Sequence, residues 1–281
     1  MTDRSLTDPA KPAACFAAHL PARLSVQQPA VAYAPSNIAL AKYWGKRDAV
    51  LNLPLNSSLS ISLADWGSHT RIFPAETAYD EVWLNGVSLP LDSAFASKII
   101  CFVDLYRREQ TLPLRIETDN TLPTAAGLAS SASGFAALTL ALDAAFNLKL
   151  PKSVLSMLAR FGSGSATRSL WHGFVRWDRG EKEDGSDSFA RPLMLDWPEF
   201  RIAIVPVDTG PKSRSSRDGM NHTVATSPLF KIWPAQAEAD CTAVHTALEA
   251  RDFATLGALS EANALALHAT MMAARPALCY L

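Results

Sequence analysis

Hydrophobic and polar positions alternate most clearly in one short stretch of the chain. Residues 59–63 (LSISL) alternate apolar and small polar groups, the period of a half-buried strand, and 31–33 and 71–73 are also expected to be short strands. Residues 81–84 and 87–89 flank Asn85-Gly86, which predicts a tight hairpin. From 94 to 108 the apolar positions Phe95, Ile99, Phe102, Val103 and Tyr106 recur at helical spacing. A short strand is expected at 114–117, a long Ala/Leu helix at 135–146 and a shorter helix at 153–161. Strands are then expected at 169–177 and 201–207, separated by a charged, Gly-containing loop at 178–188. Beyond Pro228 the pattern is helical, at 235–250 and 253–274. Strands with helices first and mostly helices later indicate an α+β chain.

The first 30 residues are Ala/Pro-rich and carry no period, which reads as a mobile arm. Two larger units follow, 31–198 and 199–281, with the boundary near Asp196–Glu199. The two C-terminal helices would need more than the one strand at 201–207 to cover their apolar faces.

Composition narrows the function. The 281 residues are 48% hydrophobic and 19% charged, as in a packed globular enzyme. A net charge of −1 gives no field for nucleic acid or an anionic membrane. Cys15, Cys101, Cys241 and Cys279 are scattered, which suits neither a zinc ribbon nor a disulfide framework and fits a reducing cytosol. The histidines lack metal-ligand spacing.

Four segments concentrate chemistry. The run APSNIALAKYWGKRD (34–48) sets Ser36, Asn37, Lys42, Tyr43, Lys46 and Arg47 in an apolar context, where unpartnered polar groups are costly. It reads as a strand-like segment lining a pocket for an anion. PTAAGLASSASG (123–134) precedes a helix, and its small residues and hydroxyls suit either phosphate binding or a plain flexible N-cap; it is neither a Walker A nor a GxGxxG motif. In GSGSATRSL (162–170), Arg168 is either a fork for a carboxylate or phosphate, or a surface residue capping carbonyls. The stretch 208–220, with Lys212, Arg214 and Arg217, suits an anionic ligand or is a solvated basic loop. Trp44 fits core packing, His172 a core or edge position, and Asp208 a turn.

Taken together and in this order, these segments, with LPLNSSLSISL (53–63) and the SSRDGM…TSP pair (215–228), resemble the diphosphomevalonate decarboxylase family of the GHMP kinase superfamily. The resemblance implies a two-lobed GHMP fold, ATP as phosphoryl donor and Mg²⁺ as its companion. It also implies mevalonate 5-diphosphate as substrate, isopentenyl diphosphate as product and a homodimer. By position, Tyr43, Lys46, Ser216 and Arg217 would hold the substrate diphosphate. Arg168 would grip the carboxylate with Asn37 orienting it, and Gly127, Ser130, Ser131 and Ser133 would cradle the ATP phosphates. The family's catalytic aspartate lies in a late Asp-Ala-Gly-Pro-Asn segment, so the expectation is a sequence that stops short of it. Competing expectations are a relative that only phosphorylates, one that takes the monophosphate, and a catalytically dead ligand-binding paralogue.

Overall fold

The computed structural model describes residues 10–121, 130–205 and 215–279. Its centre is a seven-stranded mixed sheet in the order β6-β5-β7-β4-β8-β9, with β1 paired along β4. The strands are β1 (Ala30–Ala41), β4 (Ser58–Pro74), β5 (Glu81–Leu84), β6 (Val87–Leu89), β7 (Leu114–Asn120), β8 (Phe174–Trp177) and β9 (Ala190–Pro192). A separate two-stranded ribbon joins β2 (Lys46–Asp48) to β3 (Leu53–Pro54). The helices are α1 (Ala10–Ala17), α2 (Ala94–Arg107), α3 (Ser130–Ala145), α4 (Lys152–Gly162), α5 (Ser216–Thr226), α6 (Trp233–Glu249) and α7 (Phe253–Met272).

The hairpin is as the sequence predicts: Asn85 and Gly86 both take positive φ, 50° and 77°, which the twist of a two-residue turn demands. Two short strands expected at 59–63 and 71–73 are one 17-residue strand, β4. It runs antiparallel to β1 on one edge and to β8 and then β7 on the other. Its alternation positions the site. Ser58 and Ser60 point to Arg168, whereas Leu59 and Ile61 pack beneath α6. The main core lies between the sheet residues Ile72, Val82, Leu114 and Ile116 and helices α2, α3 and α4.

Five expectations are corrected. Residues 10–29 are not a mobile arm. Phe16 of α1 is fully buried and meets Phe102, Tyr106 and Phe161 edge-on, with ring centroids 5.1–6.3 Å apart. Gln110 brackets the backbone of Leu24, and Gln27 N–H donates to Ala145 C=O. The missing period was no guide, because one aromatic and a few backbone bonds anchor the segment. Residues 169–173 turn, and only Phe174–Trp177 is strand. Residues 201–205 carry no regular structure, and 206–207 lie outside the described residues. Residues 216–220, read within a basic loop, open helix α5, capped by Ser215 accepting from Asp218 N–H. The C-terminal helices cover their faces differently from expectation. Cys241, Val244, Ala247 and Leu248 of α6, with Leu256 of α7, pack on Leu40, Ala41, Leu59 and Phe174 of the large sheet.

Candidate active site

Arg168 closes a single-turn helix, Gly164–Arg168, that follows α4 directly. It is 3% exposed. Its Nε donates to Ser60 Oγ at 3.0 Å, Nη1 donates to Ser58 Oγ, and Nη2 reaches Asn37 Oδ1 at 3.4 Å. The guanidinium lies 6.0 Å from the Trp177 ring. Among the described residues no carboxylate pairs with it. Burial therefore pushes its pKa down to about 10, with Cys241 and Tyr43 acting the other way. An unpaired buried cation is expensive in a free protein, and an anionic ligand relieves that cost. Asn37, also buried, is itself held by Nδ2 donating to Ser169 Oγ at 2.8 Å and to Ser165 C=O at 3.3 Å.

Tyr43 follows β1 and rests edge-on against Trp177, ring centroids 4.9 Å apart. Its hydroxyl is buried, with no hydrogen-bond partner among the described residues. Burial raises its pKa, while Arg217, Arg168 and Arg160 pull it back, which places those cations around the phenol. Gly164 leaves room for the ring, since a Cβ there would stand 2.8 Å from Tyr43 Cε1. Lys42, one residue earlier, donates from Nζ to Ala39 C=O at 2.9 Å. Its pKa is lowered by burial and then by Arg168. Lys46 begins β2. Ser216 is exposed at the first turn of α5, and Arg217 beside it is half-buried.

The serines at the start of α3 divide. Ser130 and Ser131 line a cavity of about 160 Å³ together with Phe95, Lys98, Thr118 and Asn120. Ser133 turns inward, 1% exposed, and its hydroxyl meets Ser36 Oγ at 3.1 Å and Ser68 Oγ at 2.8 Å. Gly127 lies outside the described residues. Ser163 and Ser165 were not singled out from sequence. Their hydroxyls are 3.1 Å apart, and Ser163 Oγ lies 3.4 Å from Ser131 Oγ, so they bridge the α3 end of the site to the Arg168 turn. The Ser-Gly-Ser spacing just before Arg168 was the available signal. A larger open groove runs along α6 past Arg179, Lys231 and Glu238, and none of the expected site residues lines it.

Two anion-receptive places thus sit on one sheet: a buried arginine ringed by hydroxyls, and serines at a helix start beside a cavity. With the mixed α+β architecture, this arrangement fits the GHMP kinase class of enzymes. Family models narrow the class. Residues 34–190 match the diphosphomevalonate decarboxylase-like N-terminal domain, and 202–281 match the mevalonate 5-diphosphate decarboxylase C-terminal domain. The chain belongs to the diphosphomevalonate decarboxylase family. It is 42% identical over 271 residues to the enzyme of Aspergillus fumigatus, covering 88% of this chain and 66% of that one. To the Saccharomyces cerevisiae enzyme it is 39% identical over 269 residues, covering 88% and 67%. The crystal structure of mevalonate diphosphate decarboxylase from Staphylococcus aureus superposes with a TM-score of 0.81 at 37% identity, over 90% of this chain and 77% of that one. A second similar structure is MDDEF in complex with MVAPP, AMPPCP and magnesium, with a TM-score of 0.77 at 39% identity, over 90% and 77%. The chain spans about two thirds of the length of the curated relatives.

Proposed function

We propose that this protein carries out the ATP-dependent decarboxylation of mevalonate 5-diphosphate to isopentenyl diphosphate, releasing ADP, phosphate and CO₂. The observation that carries the reading is Arg168: a buried guanidinium held by Ser58 and Ser60, within reach of Asn37, with no acidic partner among the described residues. Such a fork suits a carboxylate, which it meets through two parallel hydrogen bonds. Tyr43, Lys46, Ser216 and Arg217 bind the diphosphate tail, and the unpartnered Tyr43 hydroxyl is ready to donate to it.

Ser130 and Ser131 donate to the ATP phosphates at the start of α3, where helix N–H groups favour anions. Ser133 acts behind them, tying α3 to β1 and β4. The donor set fits a magnesium nucleotide: hydroxyls and helix amides take phosphate oxygens, and Mg²⁺ typically binds through substrate phosphates, waters and one or two carboxylates. Mg²⁺ supplies charge neutralisation on the transferring phosphate.

The chemistry is consistent with this layout. A tertiary hydroxyl leaves poorly, and phosphorylation turns it into a good leaving group. The C–CO₂ bond then breaks, its electron pair forms the alkene, and phosphate departs. Arg168 holds the carboxylate in line for that step, and burial keeps water from competing for the guanidinium. We further infer a homodimer working in a reducing cytosol. That setting rests on the family and on the free thiols of Cys15, Cys101 and Cys241. Among the described residues no helix is long and apolar enough to cross a membrane.

The test is a coupled assay of the native protein with mevalonate 5-diphosphate, ATP and Mg²⁺. Equal yields of ADP and CO₂ are expected. ADP without CO₂ would show a kinase instead. Ligand binding with neither product would show a binding paralogue.

A further inference from the structure

Lys42 stands where β1 leaves the sheet. Ala41 is the last residue of β1 paired to β4, opposite Leu59. The next peptide is taken over by two buried asparagines. Lys42 N–H donates to Asn263 Oδ1 at 2.8 Å, and Lys42 C=O accepts from Asn56 Nδ2 at 2.8 Å. Asn263 belongs to α7 and is fully buried within the apolar stretch ANALAL. Its Nδ2 donates to Asp240 Oδ2 of α6 at 2.8 Å.

The orientation of that amide is dictated by chemistry. An ionised carboxylate only accepts and a backbone N–H only donates, so Nδ2 must face Asp240 and Oδ1 must face Lys42. A buried carboxamide is costly unless both ends are bonded, and here both are. The same helix α6 reaches the neighbouring turn, where Glu238 Oε2 accepts from Ser57 N–H at 2.6 Å.

We propose that Asn263, oriented by Asp240, is a positioning residue for the substrate side of the site. By accepting from Lys42 N–H it ends the β1 ladder at a fixed residue. That stop sets the direction in which Lys42 and Tyr43 leave the sheet. Lys42 then stands beside Arg168, and the Tyr43 ring lies between Gly164 and Trp177. A slip of one residue here would turn both side chains away. The C-terminal helices, which supply none of the proposed ligand contacts except those at the start of α5, thereby control the geometry of the residues that do. This rests on the reading of the ligand as a phosphorylated mevalonate.

Two measurements on the native protein and its variants test the proposal: amide hydrogen exchange across residues 40–46, and separate titrations with mevalonate 5-diphosphate and ATP. Asn263→Ala removes the acceptor. Asn263→Asp keeps an acceptor but sets it against Asp240. The double variant Asn263→Asp with Asp240→Asn restores one donor facing one acceptor.

Both single variants should speed Lys42 amide exchange and weaken mevalonate 5-diphosphate binding by about tenfold each, the worth of one buried hydrogen bond. ATP affinity should stay within about threefold, and the double variant should recover both losses. Unchanged exchange at Lys42 in Asn263→Ala would overturn the proposal. So would parallel losses for both ligands, which mark a merely structural residue, or a double variant no better than Asn263→Asp. If Asn263→Ala does not fold, the comparison of Asn263→Asp with the double variant decides. If the unaltered protein fails to bind mevalonate 5-diphosphate, the proposed function falls, while the exchange data still decide the positioning role.

Discussion

Replacing Arg168 by lysine separates binding chemistry from folding. The guanidinium makes directed bonds to Ser60 and Ser58 and reaches Asn37, leaving the rest of its fork for a ligand. A lysine ammonium keeps the charge but concentrates its donors at one point, so it cannot serve the two serines and both oxygens of a carboxylate together. Each charge-assisted hydrogen bond lost to the substrate is worth about 1.5–3 kcal/mol. Breaking a buried charged contact as a whole costs about 3–5 kcal/mol. Borne on the transition state, that is roughly two to four orders of magnitude in kcat/KM. The free protein should lose far less, roughly 2 kcal/mol at most, because the bonds removed there run only to hydroxyls and an amide. Among the described residues Arg168 also has no carboxylate to strand. Steady-state kinetics with mevalonate 5-diphosphate and denaturant unfolding on the same preparation measure both quantities. Near-normal turnover would remove Arg168 from the site. A stability loss as large as the kinetic loss would reduce it to a structural residue.

Four further outcomes follow from the same geometry. Tyr43→Phe removes a buried hydroxyl that has no partner among the described residues, so it should leave stability unchanged or raise it by about 1 kcal/mol while weakening the phosphorylated ligand, as read by unfolding and by titration. Ser216→Ala and Arg217→Ala should each cost about 1.5–3 kcal/mol in mevalonate 5-diphosphate binding and spare ATP; a selective loss of ATP in calorimetry would turn α5 toward the nucleotide. Phe16→Ala empties a fully buried site among Phe102, Tyr106 and Phe161 and should cost about 3–5 kcal/mol in chemical unfolding, and a negligible loss would return 10–29 to the status of a loose arm. Lys42 and Arg168 are bases whose folded pKa lies below the ordinary value, so the unfolded chain holds more protons in that window and their contribution to stability rises with pH, for Arg168 from about 10 upward. Lys42→Met should therefore flatten the pH dependence of unfolding, and an unaltered slope would show that Lys42 is not desolvated.

Local signals in the chain were enough for the hairpin at Asn85-Gly86 and for helices α2, α4, α6 and α7 to within a few residues, and they marked the polar segments from which the candidate site is drawn. Those features are encoded by neighbours: period, turn residues, and hydroxyls or cations clustered along a few turns of backbone. The sequence also singled out Asn37 and Tyr43, because a polar group in an apolar run needs a reason to be there, and Arg168, because small Gly and Ser residues surround it. Folding decided the rest. That Ser58 and Ser60 hold Arg168 across about 110 positions depends on β4 passing under the turn that follows α4. That Ser133 faces inward, and that Ser163 and Ser165 join the two halves of the site, depends on where α3 meets β1 and β4. Phe16 and Asn263 are single residues without local pattern, and they matter through distant partners, among them Phe102 and Lys42, 86 and 221 positions away. A hydrophobic period describes which face of an element is buried. Only the packed chain fixes which distant face it meets, and the hydrogen bonds that shape the site form after that choice is made.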